Sequence, residues 1–180
     1  MGDLVLETAR LVMRKPQEGD AVLHDLHLNT PAMMEYLGGV KEPHQLEAKL
    51  AKSEALFARE GFGFAMVIEK STGDLVGHCG LKRVDNPMAK NLGDLEIGWL
   101  IRQDRWRMGY AGEAVRAVLD DAFARDLAPY IVALTSERNE PSWRFMEKLG
   151  MTRRRDLEFD DPTYSDRDNP TIVYQIAAKD

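Results

Sequence analysis

Residues 105–114 read Arg-Trp-Arg-Met-Gly-Tyr-Ala-Gly-Glu-Ala and fall between a strand-like segment and a helix-like one. A helix N-terminus presents N–H groups that no preceding carbonyl satisfies, together with a partial positive charge. Gly109, Ala111 and Gly112 are small enough for an anion to approach the backbone, and Arg105 and Arg107 add charge beside it. These features match the requirements of a phosphate cradle, with a merely Gly-rich strand-to-helix turn as the bland alternative. Two familiar phosphate loops are excluded. No Gly-x-x-x-x-Gly-Lys-Ser/Thr occurs, and no Gly-x-Gly-x-x-Gly opens a helix after a strand.

Other chemistry is thinly represented. No His-Glu-x-x-His is present, and His24 and His27 sit three apart on what reads as a surface helix, so no metal site is expected. Cys79 is the single cysteine, which rules out an internal disulfide. Within Leu75-Val76-Gly77-His78-Cys79-Gly80-Leu81 it reads as a small buried hydrophobe rather than a nucleophile. His78 reads as a structural histidine, with a place in an acceptor pocket as the alternative. The net charge of −6 argues against nucleic-acid binding. No apolar run is long enough to span a membrane, and Met1-Gly2-Asp3-Leu4 lacks a secretory pattern. Leu6 stands where a myristoylation signal needs Ser or Thr, so the expectation is a cytoplasmic protein.

The elements that must position the loop follow from periodicity. The 180 residues are one domain's worth, with 44% hydrophobic and 30% charged. Alternation predicts a first strand over 7–15, and 20–28 suits a short helix. A longer helix over 45–60 follows Pro43, with Leu46, Leu50, Ser53 and Phe57 on one stripe. Strands over 64–69 and 75–84 form a hairpin around Ser71-Thr72-Gly73-Asp74. In a strand over 94–101, Leu95, Ile97, Trp99 and Ile101 share one face and Glu96, Gly98 and Leu100 the other. A helix over 109–125 carries Ala111, Ala114, Val115, Val118, Leu119, Ala122 and Phe123 at helical spacing. A buried strand over 130–135 follows. Pro141 opens a short helix that Gly150 ends, and a last strand covers 171–177. The order is that of a mixed α/β domain with a parallel crossover around the helix at 109.

Glu96-Ile97-Gly98-Trp99 followed by Trp106-x-x-Gly109-Tyr110-Ala111-x-Glu113-Ala114 resembles the acyl-CoA loop of the GNAT N-acetyltransferase superfamily, in particular its ribosomal-protein N-acetyltransferase branch. Asn139-Glu140-Pro141-Ser142 with Glu147-Lys148-Leu149-Gly150-Met151 resembles that branch's next block, and Glu7-Thr8-x-Arg10-Leu11-x-x-Arg14 its opening strand. The resemblance implies a single domain over 1–180. Its fold would be a mixed, mostly antiparallel central sheet with flanking helices and a parallel strand pair splayed at the acyl-CoA site. It further implies an acetyl-CoA cosubstrate, an acceptor that is a small-molecule amine or a protein N-terminus, and a family in which homodimers occur.

By the same resemblance, backbone at Leu100 or Ile101 polarises the thioester and the N–H groups of Met108, Gly109, Tyr110, Ala111 and Gly112 take the pyrophosphate. Asn139 holds the pantetheine arm. Arg107 and Lys148 are read as phosphate ligands, with solvated surface charge as the alternative; Arg144 stands in the same case. Glu96, on the roomy Gly98 side of its strand, is the candidate base, its partial burial suiting it to take a proton. The family pattern begins Gln/Arg-x-x-Gly; Trp106 holds that first place and loses a side-chain donor. Where many members carry a proton-donating tyrosine the chain has Met146, which leaves Ser142 as the candidate acid. The acidic run 156–168 reads as a solvated loop or as an attractor for a cationic amine. A non-catalytic acyl-CoA sensor or scaffold is the rival reading.

Overall fold

The computed structural model describes residues 3–178; Met1 and Gly2, on which the myristoylation reading rests, lie outside them. The chain forms two compact units, Met1–Lys82 with Gly98–Val118, and Arg83–Ile97 with Leu119–Asp180. Strand β5 (Leu95–Ile101) and helix α4 (Tyr110–Ala124) contribute one half to each. Among the described residues eight strands are mostly antiparallel, with one parallel pair.

In the first unit the strands run in the order β1 (Leu4–Glu7), β2 (Leu11–Arg14), β3 (Phe64–Glu69), β4 (Leu75–Arg83). Of the strand expected over 7–15, residues 11–14 form β2, while Glu7 ends a separate β1 that the sequence reading did not include. Thr8 N–H donates to the Leu11 carbonyl at 2.9 Å and Leu11 N–H to Thr8 Oγ1 at 3.1 Å, folding the chain back between β1 and β2. Helix α1 spans Asp20–Leu28, the short α2 Pro31–Met34, and α3 Pro43–Glu60. Glu42 N–H donates to Gln45 Oε1 at 2.9 Å at the start of α3, with Pro43 in its first turn, and Gly61 ends it at φ 73°. Ser53 sits in the apolar stripe because its hydroxyl accepts from Phe64 N–H at 2.6 Å and donates to Phe64 O at 2.9 Å, clipping α3 to β3. Leu28, Met33, Met66 and Leu75 form a core cluster against which Leu50, Ile68 and Leu100 pack. Arg14 and Asp20, both buried, meet in a two-pronged pair at 2.7 and 2.8 Å.

In the second unit the order is β5, β6 (Tyr130–Ser136), β8 (Thr171–Ala177), β7 (Thr152–Arg153). β5 and β6 run parallel, registered at Glu96 and Val132; β6 and β8 are antiparallel from Tyr130↔Ala177 to Ser136↔Thr171. Helix α5 spans Glu140–Lys148 with Pro141 in its first turn, and Gly150 follows it at φ 89°, the left-handed stop expected from sequence. Val84, Ala89, Val132, Phe159 and Val173 form a core cluster of this unit.

Candidate active site

Along β5 Leu95, Ile97 and Ile101 are buried as expected of one face, but Trp99 of that face is only half-buried, like Glu96, Gly98 and Leu100 on the other. Past Ile101 a single 3-10 turn (Gln103–Arg105) leads to Trp106, whose indole N–H donates back to Ile101 O at 2.6 Å. Arg107 then takes φ 62° and Gly109 φ 83°, two left-handed residues in three, before α4 begins at Tyr110. For Arg107 this conformation costs about a kilocalorie or more per mole, which surrounding contacts must offset. The backbone bond from Glu113 N–H to Gly109 O, at 3.1 Å, opens the helical ladder. The N–H groups of residues 108–112 have no acceptor among the described residues, as the cradle requires.

The loop is braced from the turn between β1 and β2. Glu113 accepts from Thr8 Oγ1 at 2.6 Å, from Arg10 N–H at 2.8 Å and from Arg10 Nε at 2.7 Å. Arg10 Nη1 also donates to Met108 O at 2.9 Å, and its guanidinium lies 4.4 Å over the Tyr110 ring. Burial works against the Glu113 charge, but the bonds from Thr8 and Arg10 outweigh it and hold its carboxyl below the usual carboxylate range. The Tyr110 hydroxyl donates to Glu69, which holds the Glu69 carboxyl low and pushes the phenol up. Arg105 turns to Asp74 at 3.2 Å and Glu69 at 3.6 Å, so its charge serves the hairpin rather than the cradle. Arg107 is exposed.

The remaining candidates belong to the second unit. Glu96 pairs with Val132 and is half-buried. Asn139 precedes α5; its amide Nδ2 donates to Thr135 Oγ1 at 3.0 Å, tying it to the end of β6. Ser142 lies in the first turn of α5, half-buried, its N–H bonded to Asn139 O at 3.0 Å. Lys148, in the last turn, is exposed, and Met146 is 1% exposed, on the packed face. The acidic run is largely paired rather than a free cloud. Arg153 holds Glu158 at 2.5 Å, Arg154 holds Asp156 at 2.7 Å and Arg138 holds Asp168 at 2.7 Å. Asp161 is buried and accepts from Asn86 and Thr163, bonds that hold its carboxyl low.

One histidine departs from expectation. His24 is buried rather than on a solvated face, because α1 turns Asp20, His24 and Leu28 inward and leaves Val22 and Leu26 exposed. Cys79 is fully buried, and burial pushes its thiol up. No cluster of His, Cys, Asp or Glu able to hold a metal ion occurs among the described residues. Sequence reasoning missed the Thr8–Arg10–Glu113 brace. Each residue stood in a quoted motif, but nothing in one sequence joins positions more than a hundred residues apart.

Residues 10–152 match the acetyltransferase (GNAT) domain family. The chain is 32% identical to protein YkkB of Bacillus subtilis over 151 residues, covering 81% of this chain and 84% of that protein. Its fold superposes with a TM-score of 0.80 on an acetyltransferase from Agrobacterium tumefaciens, at 25% identity over 96% of this chain and 94% of the other. The ribosomal L7/L12 alpha-N-protein acetyltransferase RimL, solved in complex with coenzyme A, shares the fold at a TM-score of 0.76 and 14% identity, covering 97% and 98%. The family match covers the strand, the left-handed turn and the helix that follows it, and so places them within an acetyltransferase (GNAT) domain. The chain belongs to the GNAT acetyltransferase family and is an acetyl-CoA-dependent acetyltransferase.

Proposed function

We propose that the chain, acting as one functional domain, moves the acetyl group of acetyl-CoA directly to a primary amine. The observation that carries this reading is the turn at Arg107 and Gly109 ahead of α4, with the N–H groups of Met108, Gly109, Tyr110, Ala111 and Gly112 unspent. In this reading those groups take the pyrophosphate, with Arg107 and Lys148 meeting phosphates and Asn139 the pantetheine arm. Backbone N–H at Leu100 or Ile101 polarises the thioester carbonyl. The amine nitrogen bonds to the carbonyl carbon and the C–S bond breaks. Glu96 takes the proton that frees the ammonium for attack, directly or through water, and passes it to solvent. Ser142 gives the thiolate its proton and recovers one from the nitrogen of the new amide.

The acceptor is a small-molecule amine or a protein N-terminus, the latter suggested by the activity of the fold's ribosomal-protein neighbour. No helix of the described residues is long and apolar enough to cross a membrane. A homodimer is the arrangement we would look for first. The testing experiment supplies acetyl-CoA with amines, polyamines, amino acids and peptides, follows free thiol, and resolves products by mass. An amide product with stoichiometric thiol is expected. Tight coenzyme binding without thiol release from any acceptor would instead support a sensor, the reading that the buried thioether of Met146 favours.

A further inference from the structure

We propose that Arg10 supplies the side-chain donor to the coenzyme A pyrophosphate that Trp106 cannot; this rests on the acetyl-CoA reading of the loop. Trp106 occupies the place where a glutamine or arginine would reach the phosphates, and its one polar hydrogen is spent on Ile101 O at 2.6 Å. Arg10 arrives at the same loop from the turn between β1 and β2. Its main-chain N–H and Nε are fixed by Glu113 at 2.8 and 2.7 Å, and Nη1 by Met108 O at 2.9 Å. The Tyr110 ring lies under its plane. Those anchors orient the guanidinium and leave Nη2 over.

Nη2 has no acceptor among the described residues, and it stands 3.3 Å from the point that a Cβ on Gly109 would occupy. It is therefore presented over the bare Cα of Gly109, the residue that leads into α4. The side chain of Arg10 is 44% exposed, so a ligand can reach that edge. The Glu113 oxygens are engaged by Thr8 and Arg10, and Met108 O by Arg10, so the nearby acceptors are already taken up by donors. A guanidinium stays charged at any working pH and suits phosphate oxygens.

The test compares affinities for coenzyme A, by calorimetry, and for pantetheine, which lacks every phosphate, by NMR titration. Arg10→Gln should weaken coenzyme A binding about tenfold or more while leaving pantetheine unchanged. Arg10→Lys, which keeps the charge and should keep the fold, should lose less. Lys70→Gln removes a neighbouring cation that bonds Thr8 O and Glu7, and should leave coenzyme A affinity within about twofold. Unchanged coenzyme A affinity in Arg10→Gln overturns the proposal. So does an equal loss for both ligands, which would mean a general loss of fold, loss of the native amide NOE pattern of residues 107–113 in ligand-free Arg10→Gln, which would mean that the loop has collapsed rather than lost a donor, or an equal loss in Lys70→Gln, which would mean diffuse charge. Failure of the native chain to bind coenzyme A at all would overturn the acetyl-CoA reading itself, and this proposal with it.

Discussion

His24 Nε2 lies 3.2 Å from His78 Nδ1, and the two rings stack with centroids 5.1 Å apart. The rings are 1% and 5% exposed, and the edge of Phe64 packs on His78. Burial, reinforced by the charge of Lys49 on α3, lowers His24 to about 4, with Asp25 opposing. Burial, then Lys49 and His24, hold His78 well below the usual histidine range.

This pair makes stability depend on pH in a definite direction. Both histidines are neutral when folded and take up protons near their ordinary value when unfolded. Between pH 6.5 and 4 the unfolded chain therefore binds more protons, and stability falls as the pH falls. For His24 alone the full effect is on the order of 3 kcal/mol. The melting temperature should drop from pH 7 to pH 5, where ordinary carboxylates are still ionised. A His24→Phe/His78→Phe double variant should lose most of that slope. An unaltered slope in the double variant would assign the acid sensitivity elsewhere.

The same histidine marks where the sequence could be read and where it could not. The apolar stripe of α4 and the stops at Gly61 and Gly150 follow from period and backbone preference, and the structure has all three. The loop ahead of α4 stood out in the sequence as well, since Gly109, Ala111 and Gly112 lie within four residues. α1 defeats the same reasoning: its inward stripe is Asp20, His24 and Leu28, with Asp20 paired to Arg14 and one ring nitrogen of His24 bonded to His78, while His24 Nδ1 has no partner among the described residues. The break at Thr8 is hidden because no glycine or proline marks it, and the one-turn α2 leaves no periodic trace. The base and acid candidates, Glu96 and Ser142, were legible only through resemblance, since a lone strand glutamate or an early helix serine has no distinctive pattern.

Gly109→Asp should abolish tight coenzyme A binding while costing little stability. The φ of 83° is one that Asp tolerates better than most residues, and the new carboxylate would meet Arg10 Nη2. It would thus fill the cradle with negative charge and occupy the donor at once. Calorimetry should show affinity for coenzyme A reduced by about two orders of magnitude or more, the scale of a buried like-charge contact. The melting temperature without ligand should move by only a few degrees. Native-like affinity would remove the loop from the cofactor site.

Ser142→Ala separates proton donation from helix chemistry. Ser142 lies inside the first turn of α5 rather than at its cap, which is Asn139, and its hydroxyl has no partner among the described residues. Its loss should therefore leave stability within about 0.5 kcal/mol. If the hydroxyl protonates the thiolate, kcat should fall about tenfold to a hundredfold with the acetyl-CoA KM unchanged. An unchanged kcat would transfer that role to water.

Glu96→Gln should separate base chemistry from cofactor binding. The carboxylate projects from the Gly98 side of β5, half-buried, opposite the face that carries Leu95 and Ile97 into the core. Gln keeps the shape and hydrogen-bonding capacity of the side chain but cannot take a proton. Removing a positioned base reduces proton transfer by about two to four orders of magnitude. The fall should therefore lie in kcat and in kcat/KM for the amine, with the Kd for acetyl-CoA unchanged. It should also shrink as the pH rises and the free amine becomes abundant without help, since a base matters most where the acceptor is an ammonium ion. A loss of the same size at every pH would make Glu96 a positioning residue for β5. An unchanged rate would place the base elsewhere.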